Sequence, residues 1–194
     1  MTHKIFVGYA KGDEAGAAEV FNALRRIKGV TPYIPGLLET ADENLPIKIR
    51  NGLQESDLAV FLITFNSTNT IWLNQEIGYA SARQIPIISI VEKGIDVRGF
   101  LEKKEYMVFQ RADFGHNVYQ LISKIREEFA RLGDPLTLFQ VTCPSCDTMY
   151  LEPLPSKNIV DEAVERRQHL RYQCPSCSHH FLVDPKTLDV KVDS

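Results

Sequence analysis

No stretch of this chain reaches the roughly 18 consecutive apolar residues that a membrane-spanning helix needs. The longest apolar runs, Leu58 to Ile63 and Ile85 to Val91, are of strand length. The opening MTHKIFVGYA carries one Lys and too short an apolar core for a secretory signal, and it runs straight into a strand pattern. A surplus of basic charge is missing as well: 22 Lys and Arg stand against 25 Asp and Glu, a formal net charge of −3. That argues against nucleic acid as a partner, because nothing is left over to neutralise phosphates. Intrinsic disorder is excluded by composition, since 44% of residues are hydrophobic and 24% charged. A phosphate-cradling glycine loop is absent, because GYAKGDEAG fits neither the GxGxxG nor the Walker pattern. Cysteine is scarce, and its four copies fall in two tight pairs, CPSC at 143–146 and again at 174–177. Such pairs point to a metal site in a reducing compartment, with the cytoplasm as the expected location.

What is present is a regular alternation. Lys4 to Val7 is an apolar run, followed by helical periodicity from Asp13 to Lys28 with Ala17, Val20, Phe21, Leu24 and Ile27 on one face. Thr31 to Ile34 reads as a short strand, and Ile49 and Leu53 face inward from a short helix that Pro46 opens. Leu58 to Thr64 is the clearest buried strand, and Asn69 to Arg83 a helix capped by Asn69 or Thr70. Pro86 to Val91 and Tyr106 to Phe109 are further strands, and Gly115 to Leu132 is the last long helix before Gly133-Asp134-Pro135. Strand then helix, five times over, predicts an α/β fold: an open, five-stranded parallel sheet with helices on both faces. Ligands of such sheets bind beyond the carboxyl ends of the strands, where strand order reverses. The expected division is 1–134 for this unit and 135–194 for a small second one, which by size alone needs a staple.

The second unit carries the cysteines. Two thiolates at the ends of a tight turn form one edge of a tetrahedron, and Cys143, Cys146, Cys174 and Cys177 together make a four-sulfur shell suited to Zn²⁺. Two disulfides or four free thiols are the alternatives. The segments TLFQVT, TMYLEP, HLRYQ and HHFLV are strand-like, and PLPSKNIVDEAVERRQ between them reads as a loop or short helix. This part of the chain resembles a zinc ribbon over roughly 136–184, with a structural, closed metal site. From Leu136 onward six basic residues face eight acidic ones, so the ribbon is not an evident nucleic-acid binder, and its partner is unspecified.

In the first unit, ESDLAVFLITFNSTNTIWLNQEIGYASARQIPIISIV is the most informative stretch. Its buried strand ends at Thr64, and the helix that follows carries Trp72 and Glu76 on one face. At a helix start the dipole is expected to keep the carboxylate ionised. With KIFVGYAKGDE and TADENLPIKIRNGLQESD in order before it, the chain from Lys4 to about Leu132 resembles a prokaryotic TIR (Toll/interleukin-1 receptor) domain, a flavodoxin-like fold. Gly8 stands where that family often has Ser, Thr70 replaces a common Ser two before the Trp, and TPYIPG lacks an acidic residue often found there.

The resemblance implies cleavage of NAD⁺ between nicotinamide and ribose, with Glu76 as the catalytic residue and ADP-ribose or a cyclic form as product. It implies substrate contacts at Tyr9, Ala10 and Lys11 in the first loop, at Ser67 and Thr68 toward the ribose, and at Trp72 beneath the site. The loop 36–44 would be a mobile flap. It also implies self-association through the TIR domain and a role in prokaryotic defence or stress signalling. The other expectation for such a domain is a non-catalytic adaptor that works through contacts between like domains.

Overall fold

The computed structural model describes residues 2–35, 45–68, 70–97, 99–101 and 105–191. The first unit comprises β1 (His3–Gly8), α1 (Glu14–Leu24), β2 (Val30–Tyr33), α2 (Leu45–Gln54), β3 (Leu58–Ile63), α3 (Ile71–Ala82), β4 (Ile87–Glu92), β5 (Tyr106–Phe109) and α4 (Phe114–Arg131). The five strands form one parallel sheet in the order β2-β1-β3-β4-β5. Strand order reverses between β1 and β3, so the loops that leave these two strands flank the natural crevice. Pro32, which has no N–H to donate, is tolerated because β2 is an edge strand.

Side-chain alternation along each strand divides the core into two. Ile5, Val7, Leu58, Val60 and Leu62 face α1 and α4, in a cluster with Val20, Leu24, Ile122, Ile125 and Phe129. Phe6, Ala59 and Phe61 face the other way, against Ile49 and Leu53 of α2 and Leu73, Ile77 and Ala80 of α3. Period two in the strands and period 3.6 in the helices are therefore both satisfied, as a sheet covered on both faces requires.

The expected fifth helix is not found among the described residues. Among the described residues between β4 and β5 the chain makes a short 3₁₀ turn, Gly99–Leu101. The segment is polar and interrupted by Gly94 and Gly99, both at positive φ, so it has neither an apolar stripe to bury nor an uninterrupted helical backbone.

Beyond α4 the chain is built from two hairpins and a helix. These are β6 (Leu138–Thr142) with β7 (Met149–Pro153), α5 (Lys157–Glu165), and β8 (Leu170–Gln173) with β9 (His180–Val183) and β10 (Val190–Lys191). All ladders here are antiparallel. This β-rich part lies against α1 and α4. Phe139, Val141, Leu154, Phe181, Val183 and Leu188 belong to the same buried cluster as Leu24, Ile27 and Phe129. Each such side chain withdrawn from water contributes about 1.5–3 kcal/mol. The main chain joins in too: Lys28 N–H donates to Leu138 O at 3.0 Å and Gln140 N–H to Arg26 O at 2.7 Å. Arg26 donates to Leu188 O and pairs with Asp189, and Arg126 donates to Leu136 O and to Pro155 O.

Candidate active site and metal centre

Glu76 is the sixth residue of α3 and faces the sheet rather than solvent. It is 6% exposed. It forms part of a cleft of about 500 Å³ between the loop after β1, the start of α2 and the first turns of α3. Tyr9, Ala10, Lys11 and Trp72 line the same cleft, as do Gly8 and Glu14. Five of the seven residues singled out for catalysis and substrate contact thus line one cleft. Ser67 is not among them. Its hydroxyl donates to Thr64 O at 2.7 Å and accepts from Thr64 N–H at 2.9 Å, closing the turn after β3, and it lines a neighbouring groove with Phe65 and Ile95. Thr68 bonds Phe65 O and lines that groove as well. The segment 36–44 lies outside the described residues.

The ionisation state of Glu76 departs from the expectation. One carboxyl oxygen, Oε2, is buried without a hydrogen-bond partner. Burial alone pushes the group from 4.5 up to about 8. Helix-dipole stabilisation fades beyond the first turn, and Glu76 sits in the second. Desolvation therefore wins, and the free protein holds a neutral carboxyl at pH 7. Tyr9 is raised as well, by its own burial first and then by the charges of Glu14 and Glu76. Glu14 is lowered, chiefly because Gly12 N–H donates to it, and Lys11 adds a weaker attraction.

Gly8 shows how tightly Glu76 is seated. A Cβ on Gly8 would lie 2.5 Å from the Phe61 ring and 2.8 Å from Glu76 Oε2. The absence of a side chain at the end of β1 is what lets Phe61 and Glu76 close over the strand.

A second set of polar residues, which the sequence reading missed, stitches the carboxyl-edge loops together. Asp13 accepts from Thr64 Oγ1, from Asn66 Nδ2 at 2.9 Å and from Arg111 Nη2 at 3.3 Å. Arg111 also clasps Glu92 through Nε at 2.6 Å and Nη2 at 3.0 Å, and Phe65 N–H donates to the same carboxylate. The Arg111 guanidinium holds Glu92 below the usual carboxylate range. Loops after β1, β3, β4 and β5 are thereby fixed to one another, and the first two of these carry or lead to the cleft residues. The sequence signal was slight, a Thr, a Glu and an Arg close to three strand ends.

At the far end of the chain the four cysteines converge. Their sulfurs all lie within 4.8 Å of one another. Cys143 to Cys177 and Cys146 to Cys174 are 3.7 Å apart. A tetrahedron with metal–sulfur bonds of about 2.3 Å has edges of about 3.8 Å, so the spacing fits four-coordinate binding. None of the four forms a disulfide. Ser145 N–H donates to Cys143 Sγ at 3.4 Å, the kind of support that thiolate ligands use. Cys143 and Cys174 are buried against the shared core, while Cys146 and Cys177 face outward.

A family model described as TIR domain matches residues 5–124. The chain belongs to the TIR-domain family. Among solved structures, the TIR domain of the Toll-related receptor TRR-2 from Hydra magnipapillata is similar over 64% of this chain and 98% of that one. The TM-score is 0.52 at 15% identity, a likeness of fold alone. A 2-desoxiribosyltransferase from Leishmania mexicana matches 52% of this chain and 70% of its own at 22% identity, with a TM-score of 0.40. A search of curated proteins finds no match. This TIR-domain chain thus carries, after its parallel sheet, a β-rich segment with four cysteines positioned to bind a metal ion. No helix among the described residues is long and apolar enough to cross a membrane.

Proposed function

We propose that this TIR-domain protein cleaves the nicotinamide–ribose bond of NAD⁺ and that Glu76 is its catalytic residue. The observation that carries the reading is the unpartnered Glu76 Oε2 at the switch-point cleft that Tyr9 and Trp72 also line. A buried polar atom without a partner is costly unless a ligand completes it. In NAD⁺ the pyridinium ring carries positive charge, and as nicotinamide departs that charge moves to the ribose as oxocarbenium character. Entry of the cation beside Glu76 draws the carboxyl into its ionised form, and the carboxylate then stabilises the ribosyl cation in a poorly solvated site. Nicotinamide leaves as a neutral molecule and needs no proton. Water attack yields ADP-ribose, and attack by the adenine ring of the same molecule yields a cyclic product. Tyr9 and Trp72 offer faces for a base or nicotinamide ring, and Lys11 a partner for a phosphate.

In the same reading residues 1–134 form the TIR unit and 135–194 a ribbon whose Cys143, Cys146, Cys174 and Cys177 hold a structural Zn²⁺. Redox-inert zinc with four thiolates has no open position, so the metal is assigned stability and not chemistry. The protein works in the cytoplasm, in defence or stress signalling, and self-association through the TIR domain accompanies activity. The test is nicotinamide release from NAD⁺ by wild type and by Glu76→Gln, both at high concentration. Turnover that survives the substitution would end the assignment.

The second reading is a non-catalytic adaptor. It rests on the apolar side chains exposed around the start of α3: Phe65 is 55% exposed, Ile71 76% and Trp72 43%. Wild type that assembles but never releases nicotinamide would favour it.

A further inference from the structure

We propose that the Glu76 cleft also cleaves uncharged N-ribosides, purine nucleosides as a class, with Glu76 as the proton donor to the departing base. The inference rests on the reading of this cleft as an N-glycosidase site and adds a second substrate class to it.

Two features carry it. The first is the way Glu76 is held. Its Oε2 has no hydrogen-bond partner, and among the described residues it forms no ion pair. Leu45 and Ile49 of α2 and Trp72 and Leu73 of its own helix line the same cleft, and a Cβ at Gly8 would touch both the Phe61 ring and Glu76 Oε2. Among the described residues, the titratable and charged groups lining the cleft beside Glu76 are Tyr9 and Lys11 from the loop after β1 and Glu14 from the start of α1. Lys11 is exposed and offset by Glu14. Among the described residues nothing offsets the cost of burying a carboxylate here, so the side chain rests as a neutral acid. The second feature is the lining itself. Tyr9 and Trp72 offer aromatic faces for a base, and Leu45, Ile49 and Leu73 an apolar wall for an uncharged ligand.

The two substrate classes make opposite demands. A purine is a poor leaving group as an anion and needs a proton on a ring nitrogen as the bond breaks. In the step proposed, the Glu76 proton passes to purine N7 while the C1′–N9 bond breaks and its electron pair stays on the base. The ribosyl cation then faces the newly formed Glu76 carboxylate. Water adds to C1′ and its proton returns to Glu76, leaving free base, ribose and the neutral carboxyl. No other reactant enters.

The experiment gives wild-type protein, at high concentration, adenosine or NAD⁺ from about pH 6 to about pH 9.5 and follows adenine or nicotinamide by chromatography. The expected result is adenine release that falls about tenfold per pH unit above about pH 8, with NAD⁺ cleavage rising toward the same point, and loss of both in Glu76→Gln. A melting curve confirms that the variant is folded. Adenosine left intact at every pH, beside Glu76-dependent NAD⁺ cleavage, overturns this inference and leaves the proposed function standing. Adenine release that persists in Glu76→Gln overturns it too. Adenosine cleavage without NAD⁺ cleavage keeps it and removes NAD⁺ as the substrate. No release from either removes both.

Discussion

Glu76 Oε2 lies where only a glycine at position 8 leaves room for it: a Cβ there would be 2.8 Å from that oxygen. The contact ties the end of β1 to the second turn of α3 across the switch point. Gly8→Ser should therefore destabilise the protein by about 1–3 kcal/mol, the usual result of overfilling a close-packed site. Denaturant midpoints of wild type and variant check this, and an unchanged midpoint would mean that the Phe61 ring moves freely aside.

Stability should depend on pH through Glu76. Its folded-state value, about 8, lies above the ordinary 4.5. Below pH 4.5 both folded and unfolded chains hold the proton and the contribution to stability is complete. Between 4.5 and about 8 the unfolded chain releases the proton while the folded one keeps it, so stability falls as pH rises. The loss is on the order of 3–5 kcal/mol by the top of that window. Glu76→Gln removes the titration and should melt higher than wild type at pH 8, with the gap closing toward pH 4.5. Parallel melting curves across the range would contradict the assignment of a neutral, buried carboxyl.

The Asp13–Arg111–Glu92 bridge makes a third prediction. Arg111→Met leaves two carboxylates, both in buried residues at the carboxyl edge, without their shared cation. Such a change costs about 3–5 kcal/mol when the remaining charge is fully buried and less where water reaches it. The partly exposed guanidinium here places the cost toward the lower end. Because Arg111 holds Glu92 in its ionised form, the wild-type benefit is present above the ordinary carboxylate pKa and fades as pH falls through the lowered folded value. The variant should therefore approach wild type in stability under acid. Melting curves at neutral and acid pH test this.

Metal removal should affect more than the cysteine segment. Phe139, Phe181 and Leu188 share one buried cluster with Leu24 and Phe129, and Arg26 and Arg126 anchor the β-rich part to the helices. A chelator, or Cys143→Ser, should lower the melting temperature of the whole chain by about 10 °C or more, in one transition. Amide exchange should rise in α1 and α4 as their cover loosens. Two separate transitions, with the TIR part unmoved, would show that the two parts fold independently.

Much of this was legible in the sequence. Strands such as Leu58–Ile63 announce themselves as unbroken apolar runs, and Val118, Leu121, Ile122, Ile125 and Phe129 spell out one face of α4. The CPSC repeat located the four cysteines that converge, because they come in local pairs. What escaped the reading depends on distance in the chain. Asp13 and Arg111 are 98 residues apart and meet only because the parallel sheet brings their loops to one edge. The docking of Phe139 beside Ile27 is equally non-local. The neutral state of Glu76 follows from its burial, and helical spacing carries no measure of burial.

The central claim is that Glu76 makes this cleft an N-glycosidase site. Its most direct test follows nicotinamide release from NAD⁺ by concentrated, metal-loaded protein at about pH 8, with Glu76→Gln beside it. The account predicts release by wild type and a fall of at least about a hundredfold in the variant, the scale of losing a group that stabilises transition-state charge. Equal release by both proteins, or none by wild type even when forced to cluster, would contradict it.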